Sequence, residues 1–174
     1  YWRLGTGFMP QMDEGGFVLD YVSVPGTSLA ETDRLLRQVE AIIKATPEVD
    51  DYSRRTGAQL GGGLTEANEG DFFVHLKPPP RRGIEDVMSE VRAKVQAQVP
   101  GLRIETAQLM EDLIGDLVAT PQPVEVKVFG QNPATDRAEA AKIAAAIAKI
   151  PGVVEVFDGV KIAGDAIEVR VDRV

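Results

Sequence analysis

The side chains able to do chemistry in this chain are above all carboxylates. Aspartate and glutamate number 27 against 19 lysines and arginines, for a formal net charge of −8. Asp20 falls in the middle of an alternating segment that reads as a strand, where aspartate is depleted. Glu66, Glu69 and Asp71 bracket a glycine-rich stretch, and Glu111, Asp112 and Asp116 share a short amphipathic segment. Oxygen ligands of this kind suit hard divalent cations better than soft monovalent ones. The plainer reading of the same residues is a set of solvated loops and helix faces.

Other chemistries find little support. The chain has no cysteine, which removes disulfides, thiolate metal sites and cysteine nucleophiles together. Its one histidine, His75, excludes a zinc site built on several imidazoles and sits beside Lys77 as a sheet-surface residue would. Gly61-Gly62-Gly63 is not followed by lysine and Ser/Thr at P-loop spacing. Met9, Met12, Met88 and Met110 could offer thioethers to a soft metal, but Met88 belongs to a helix's apolar face and Met9 and Met12 flank Pro10. No enzyme is expected, and no cofactor. With acidic residues in excess there is no surplus of cations to displace counterions, so no nucleic-acid partner is expected either.

These residues must be positioned by alternating strands and helices. Gly15–Pro25 alternates as a strand, and Ser28 with Glu31 forms a capping box ahead of a helix bearing Leu35, Leu36, Val39, Ile42 and Ile43. Val49–Arg54 reads as a second strand, Gly57–Gly70 as a flexible loop, and Asp71–Leu76 as a third strand. Ile84, Val87, Met88, Val91 and Val95 repeat at helical spacing up to Pro100-Gly101, and Leu102–Gln108 is a fourth strand. The order β-α-β-β-α-β predicts an α+β, ferredoxin-like unit. Leu109, Leu113 and Leu117 mark a short helix after it.

The pattern then begins again. Val124–Phe129 reads as a strand, Asn132-Pro133 as a helix start, Ile143, Ile147 and Ile150 as an apolar face, and Val153–Phe157 and Ile167–Val171 as strands. The same 104-residue offset separates Gly26 from Gly130 and Pro47 from Pro151, as an internal repeat requires. The expectation is one complete unit, residues 1–120, and a partial second βαβ unit, residues 121–174. No run of about 18 apolar residues occurs, so no segment is expected to span a bilayer, and no signal peptide precedes the first strand. The chain thus reads as a soluble acidic domain or as a soluble piece of something larger.

Several motifs, taken in order, resemble one family. Leu4-Gly5 through Phe8-Met9-Pro10-Gln11-Met12-Asp13-Glu14-Gly15 resembles the segment leaving the seventh transmembrane helix of resistance-nodulation-division (RND) efflux pumps. Val22-Ser23-Val24-Pro25-Gly26-Thr27-Ser28 is similar to that family's strand, Pro-Gly turn and helix start. Val124–Gly130, Ile150–Val156 and Ile167–Asp172 look like the next porter subdomain. The Asp-Glu-Gly and Val-Lys-Val-Phe-Gly forms lean toward the heavy-metal branch.

The resemblance implies a periplasmic portion of a proton-driven inner-membrane pump, a homotrimer working with an adaptor protein and an outer-membrane channel. Tyr1-Trp2-Arg3 would be the interfacial foot of a membrane helix. The two subdomains would flank a substrate cleft for a metal cation or a small molecule, with Asp20, Glu69, Asp71 and Asp116 as cleft residues. Copper- and silver-exporting members carry three methionines there; this chain places Asp20, Glu69 and Gly115, next to Asp116, at those positions. A divalent ion held by Asp20, Glu69 and Asp116 is the expectation. An organic substrate, or a sensory or assembly module of the same fold that binds a partner protein, is the alternative. An unpaired sheet edge in residues 121–174 would favour a dimer of the chain by itself.

Overall fold

In a computed structural model, the structure describes residues 12–58, 63–118 and 124–160. Four strands and two helices alternate first: β1 (Gly16–Ser23), α1 (Leu29–Lys44), β2 (Val49–Thr56), β3 (Glu69–Leu76), α2 (Ile84–Gln98) and β4 (Leu102–Gln108). The strands form one antiparallel sheet in the order β2-β3-β1-β4. Two further helices follow, α3 (Leu109–Val118) and α4 (Pro133–Ile147). The α+β ferredoxin-like unit is therefore present as expected.

The side-chain period of two divides the sheet into two faces. Phe17, Leu19, Tyr21, Phe72, Val74, Ile104 and Leu102 point to one of them and form the core with Leu36, Val39 and Ile43 of α1 and Val87, Val91 and Val95 of α2. The apolar spacings of both helices are thus satisfied by one layer of helix on one layer of sheet. Val18, Asp20, Val22, Asp71 and Glu105 point to the other face. α3 packs against β1 and β4.

The segment ahead of β1 fastens two helix starts. Asp13 accepts from the Ile84 amide at 3.2 Å, capping α2 where Gly83 has no side chain to offer, and is gripped by Arg81 at 2.5 and 2.7 Å. That guanidinium holds the Asp13 carboxyl below its ordinary pKa. Glu14 accepts from the Met110 amide at 2.9 Å, at the start of α3. Gly15, at φ +73°, then turns the chain into β1.

Four expectations change. The Ser28 hydroxyl accepts from the Glu31 amide at 3.3 Å, but Glu31 does not reach back; its carboxylate is taken by Arg34 at 2.7 and 2.8 Å. β3 begins at Glu69, two residues before the expected Asp71, so Glu69 is a strand residue and not part of the loop. Leu113, on the expected apolar side of α3, is half exposed.

The fourth concerns the partial second unit, which among the described residues forms only its helix. α4 has the expected cap, Asn132 accepting from the Ala134 amide at 2.9 Å, but neither Val124–Phe129 nor Val153–Phe157 forms a strand. The sheet order explains why. In the first unit β1 and β2 never pair; β3 lies between them and bonds both. The repeat puts Val124–Phe129 and Val153–Phe157 at the β1 and β2 positions, and a ladder cannot form between strands that are not neighbours. The residues that would lie between, Ile167–Val171, fall outside the described residues, as do Tyr1–Gln11 and Gly61-Gly62.

Candidate functional site

The register of the sheet builds a row of charge across the face opposite the helices. Asp20 of β1 stands directly opposite Asp71 of β3 on one side and Glu105 of β4 on the other. Arg55 of β2 stands opposite Asp71, extending the row to four strands. Glu69, one pleat along on the same face, is paired with Val22. Directly opposed residues have their Cβ atoms about 5 Å apart, and like charges so placed repel.

Arg55 answers part of that repulsion. It grips Asp71 with both edges of its fork, Nε to Oδ1 at 2.7 Å and Nη2 to Oδ2 at 2.8 Å. Asp71 is fully buried, whereas Arg55 keeps about a third of its side chain in solvent. Asp20 and Glu105 are half-buried, and each has an interaction partner of its own. The row is an ordered feature of the fold and not a string of free surface charges.

The structure brings three of the expected residues, Asp20, Glu69 and Asp71, to one face. Asp116 lies on α3, which packs against β1 and β4, but its side chain is outside the described residues. Glu111 and Asp112 occupy the first turn of α3. Sequence reading missed Glu105 and Arg55. The alternation of Leu102 and Ile104 with Arg103 and Glu105 was a usable signal, because it put Glu105 on the outward face of β4; the register with Asp20 was not available.

Other candidates fall away from the row. His75 is 54% exposed on its side chain, 3.5 Å from Asp50, and about 13 Å along β3 from Asp71. Met88 is in the core, and Met12 and Met110 are about half exposed outside the row, so no described thioether joins the carboxylates. The glycine-rich stretch is closed by a bridge between Ala58 and Leu64. Among the described residues no three His, Cys, Asp or Glu side chains converge as a ready-made metal site. The face offers carboxylate oxygens in a line, with one tethered guanidinium at its end.

Comparison with known proteins gives this arrangement a setting. Residues 1–174 match the family described as AcrB/AcrD/AcrF. The cobalt-zinc-cadmium resistance protein CzcA of Cupriavidus metallidurans is 29% identical over 162 residues, covering 88% of this chain and 15% of that protein. The nickel and cobalt resistance protein CnrA of the same organism is 31% identical over 160 residues, again covering 88% and 15%. The cation efflux system protein CusA of Escherichia coli is 26% identical over 178 residues, covering 98% of this chain and 17% of its own length. A crystal structure of a heavy metal efflux pump superposes with a TM-score of 0.72 at 23% identity, over 88% of this chain and 17% of that one. The chain spans about 15% of the length of the first curated relatives it matches.

Proposed function

Because the chain belongs to the AcrB/AcrD/AcrF family, we propose that it is the substrate-cleft portion of a proton-driven efflux transporter for metal cations, lying in the periplasm as part of an inner-membrane protein. Residues 1–120 are the first porter subdomain and residues 121–174 the first half of the second. The intact pump is a homotrimer that hands its cargo to an adaptor protein and an outer-membrane channel. Among the described residues no helix is long and apolar enough to cross a membrane.

One observation carries the reading: the row Asp71–Asp20–Glu105, with Glu69 beside it, on the face opposite α1 and α2. Asp20, Glu69 and Glu105 keep part of their surface in solvent and can present oxygens to a divalent ion, whereas Asp71 is buried with both oxygens held by Arg55 and contributes charge. Such a site binds weakly, as transit requires, because its oxygens come from different strands. Relatives of the chain carry names that refer to cobalt, zinc, cadmium and nickel resistance, all divalent ions. The cargo of this chain is therefore a divalent ion held by oxygen, Asp20 being the central ligand, with Asp116 of α3 joining Asp20 and Glu69. A soft ion such as Cu(I) would find no described thioether beside the row.

Titration calorimetry of the chain with Zn(II), Co(II) and Cu(I) tests this. Weak binding of the divalent ions, lost on Asp20→Ala, is the expected result. Tighter binding of Cu(I) than of either divalent ion would overturn it.

A further inference from the structure

The segment Val153–Asp158 is bounded by two glycines in the left-handed region, Gly152 at φ +90° and Gly159 at φ +76°. Inside it Glu155 adopts φ +56°, the one described non-glycine residue with a positive φ. An L residue takes that conformation at a cost, so something must hold it there. The holder is visible. The Glu155 carboxylate accepts from Arg92 Nε of α2 at 2.6 Å, and from both the amide and the hydroxyl of Thr106 at 3.1 Å. Arg92 also donates to the Thr106 hydroxyl, closing a triangle whose charged members are only 15% and 11% exposed.

Two residues further on, the ring of Phe157 lies under the Arg103 guanidinium, 4.2 Å from its centroid. Thr106 and Arg103 are on opposite faces of β4, which is an edge strand. The segment therefore grips the β4 edge from both sides: Glu155 on the helix side, Phe157 on the outer side. The Thr106 amide it occupies is an outward donor of that edge, which would otherwise stand open.

The other side of the segment faces α4. Val153, Val154 and Val156 line a groove of about 520 Å³ together with Ile143, Ala144 and Ile147. α4 has no buried residue of its own, so it is carried by this segment and not by a core.

We infer that residues 152–159 form a glycine-hinged strap, latched to β4 and α2 by the Glu155–Arg92–Thr106 triangle, whose release moves α4 relative to the sheet and opens the groove behind it. The strained φ makes the latched state one of two: the carboxylate's three bonds hold it closed, and the backbone relaxes when they break. The device is independent of which cargo the sheet face carries.

Spin labels test it, since the chain has no native cysteine. Labels at Asp86→Cys on α2 and Arg137→Cys on α4, both exposed positions, report the distance across the latch. The parent chain should give one narrow distance distribution. Glu155→Ala and Arg92→Gln should broaden it, with far-UV circular dichroism unchanged, and Glu155→Ala should speed exchange of the Thr106 amide roughly tenfold as a charge-assisted acceptor is lost. Glu155→Gly removes the strain together with the carboxylate and should broaden the distribution less than Glu155→Ala. A broad distribution in the parent, a narrow one in Glu155→Ala, or a broader one in Glu155→Gly than in Glu155→Ala, would overturn the latch.

Discussion

Replacing Gly70 by alanine strikes at the alignment that puts Arg55 beside Asp71. Gly70 lies on β3 opposite Tyr21 on one side and Thr56 on the other. A Cβ there would stand 2.3 Å from the Arg55 carbonyl oxygen, 2.5 Å from the Tyr21 hydroxyl oxygen and 2.9 Å from its Cζ. Neither neighbour can move cheaply. The Tyr21 hydroxyl donates to the Arg55 carbonyl at 2.8 Å and lies 2.8 Å from Thr56 Oγ1, with its ring fixed in the core. Overpacking of this kind costs about 1–3 kcal/mol, and the hydroxyl's lost bond about 1 kcal/mol more. Gly70→Ala should therefore lose about 2–4 kcal/mol in urea denaturation at unchanged m. Tyr21→Phe removes only the contact with the hydroxyl oxygen, so on that background Gly70→Ala should cost roughly 1 kcal/mol less. A loss below about 0.5 kcal/mol, the range of an ordinary surface change, would refute the reasoning. So would strict additivity of the two substitutions.

Asp71→Asn should cost roughly 1–3 kcal/mol in the same assay, less than a fully buried pair because Arg55 keeps solvent contact. Arg82 holds the Glu48 carboxyl at about 2, well under its ordinary 4.5. Its folded pKa lies below the unfolded one, so the pair stabilises fully above about pH 4.5 and is lost as pH falls toward 2. Arg82→Gln should return the Glu48 midpoint to the ordinary range in a carbon-detected NMR titration; an unmoved midpoint would contradict the assignment. Asn132→Ala removes the side-chain cap of α4 and should cost about 1 kcal/mol of helix stability, read as faster amide exchange in its first turn.

The first unit was legible because its local signals agree with its tertiary packing. The apolar spacings of α1 and α2 and the alternation of β1 and β4 each name a buried face, and one layer of helix on one of sheet satisfies them all. The signals that failed depend on a partner that no local pattern specifies. Glu31 has the spacing of a capping box, but Arg34 three residues on offers a charged fork and wins it. Val124–Phe129 and Val153–Phe157 have strand composition, yet strandedness belongs to a pair and their neighbour in the sheet order is neither of them. The site was half legible for the same reason. Asp20 stood out alone as an acid within a strand, whereas the residues that make it part of a row, Asp71, Glu105 and Arg55, are joined to it only by register. Glu155 gives no sign of its role in the sequence, because its two partners, Thr106 and Arg92, lie 49 and 63 residues away.

The central claim is that the sheet face opposite the helices carries a divalent cation along its row of carboxylates. Paramagnetic Co(II), added in steps to the isotopically labelled chain, tests it most directly, since relaxation of nearby amide signals reports where the ion sits. The predicted result is broadening that begins at Asp20, Asp71 and Glu105 and spreads to Glu69, with the surfaces of α1 and α2 unaffected, and that disappears in Asp20→Ala. Broadening centred on the Asp50–His75 edge or on the exposed acids of the helices, with the row left sharp, would contradict the account.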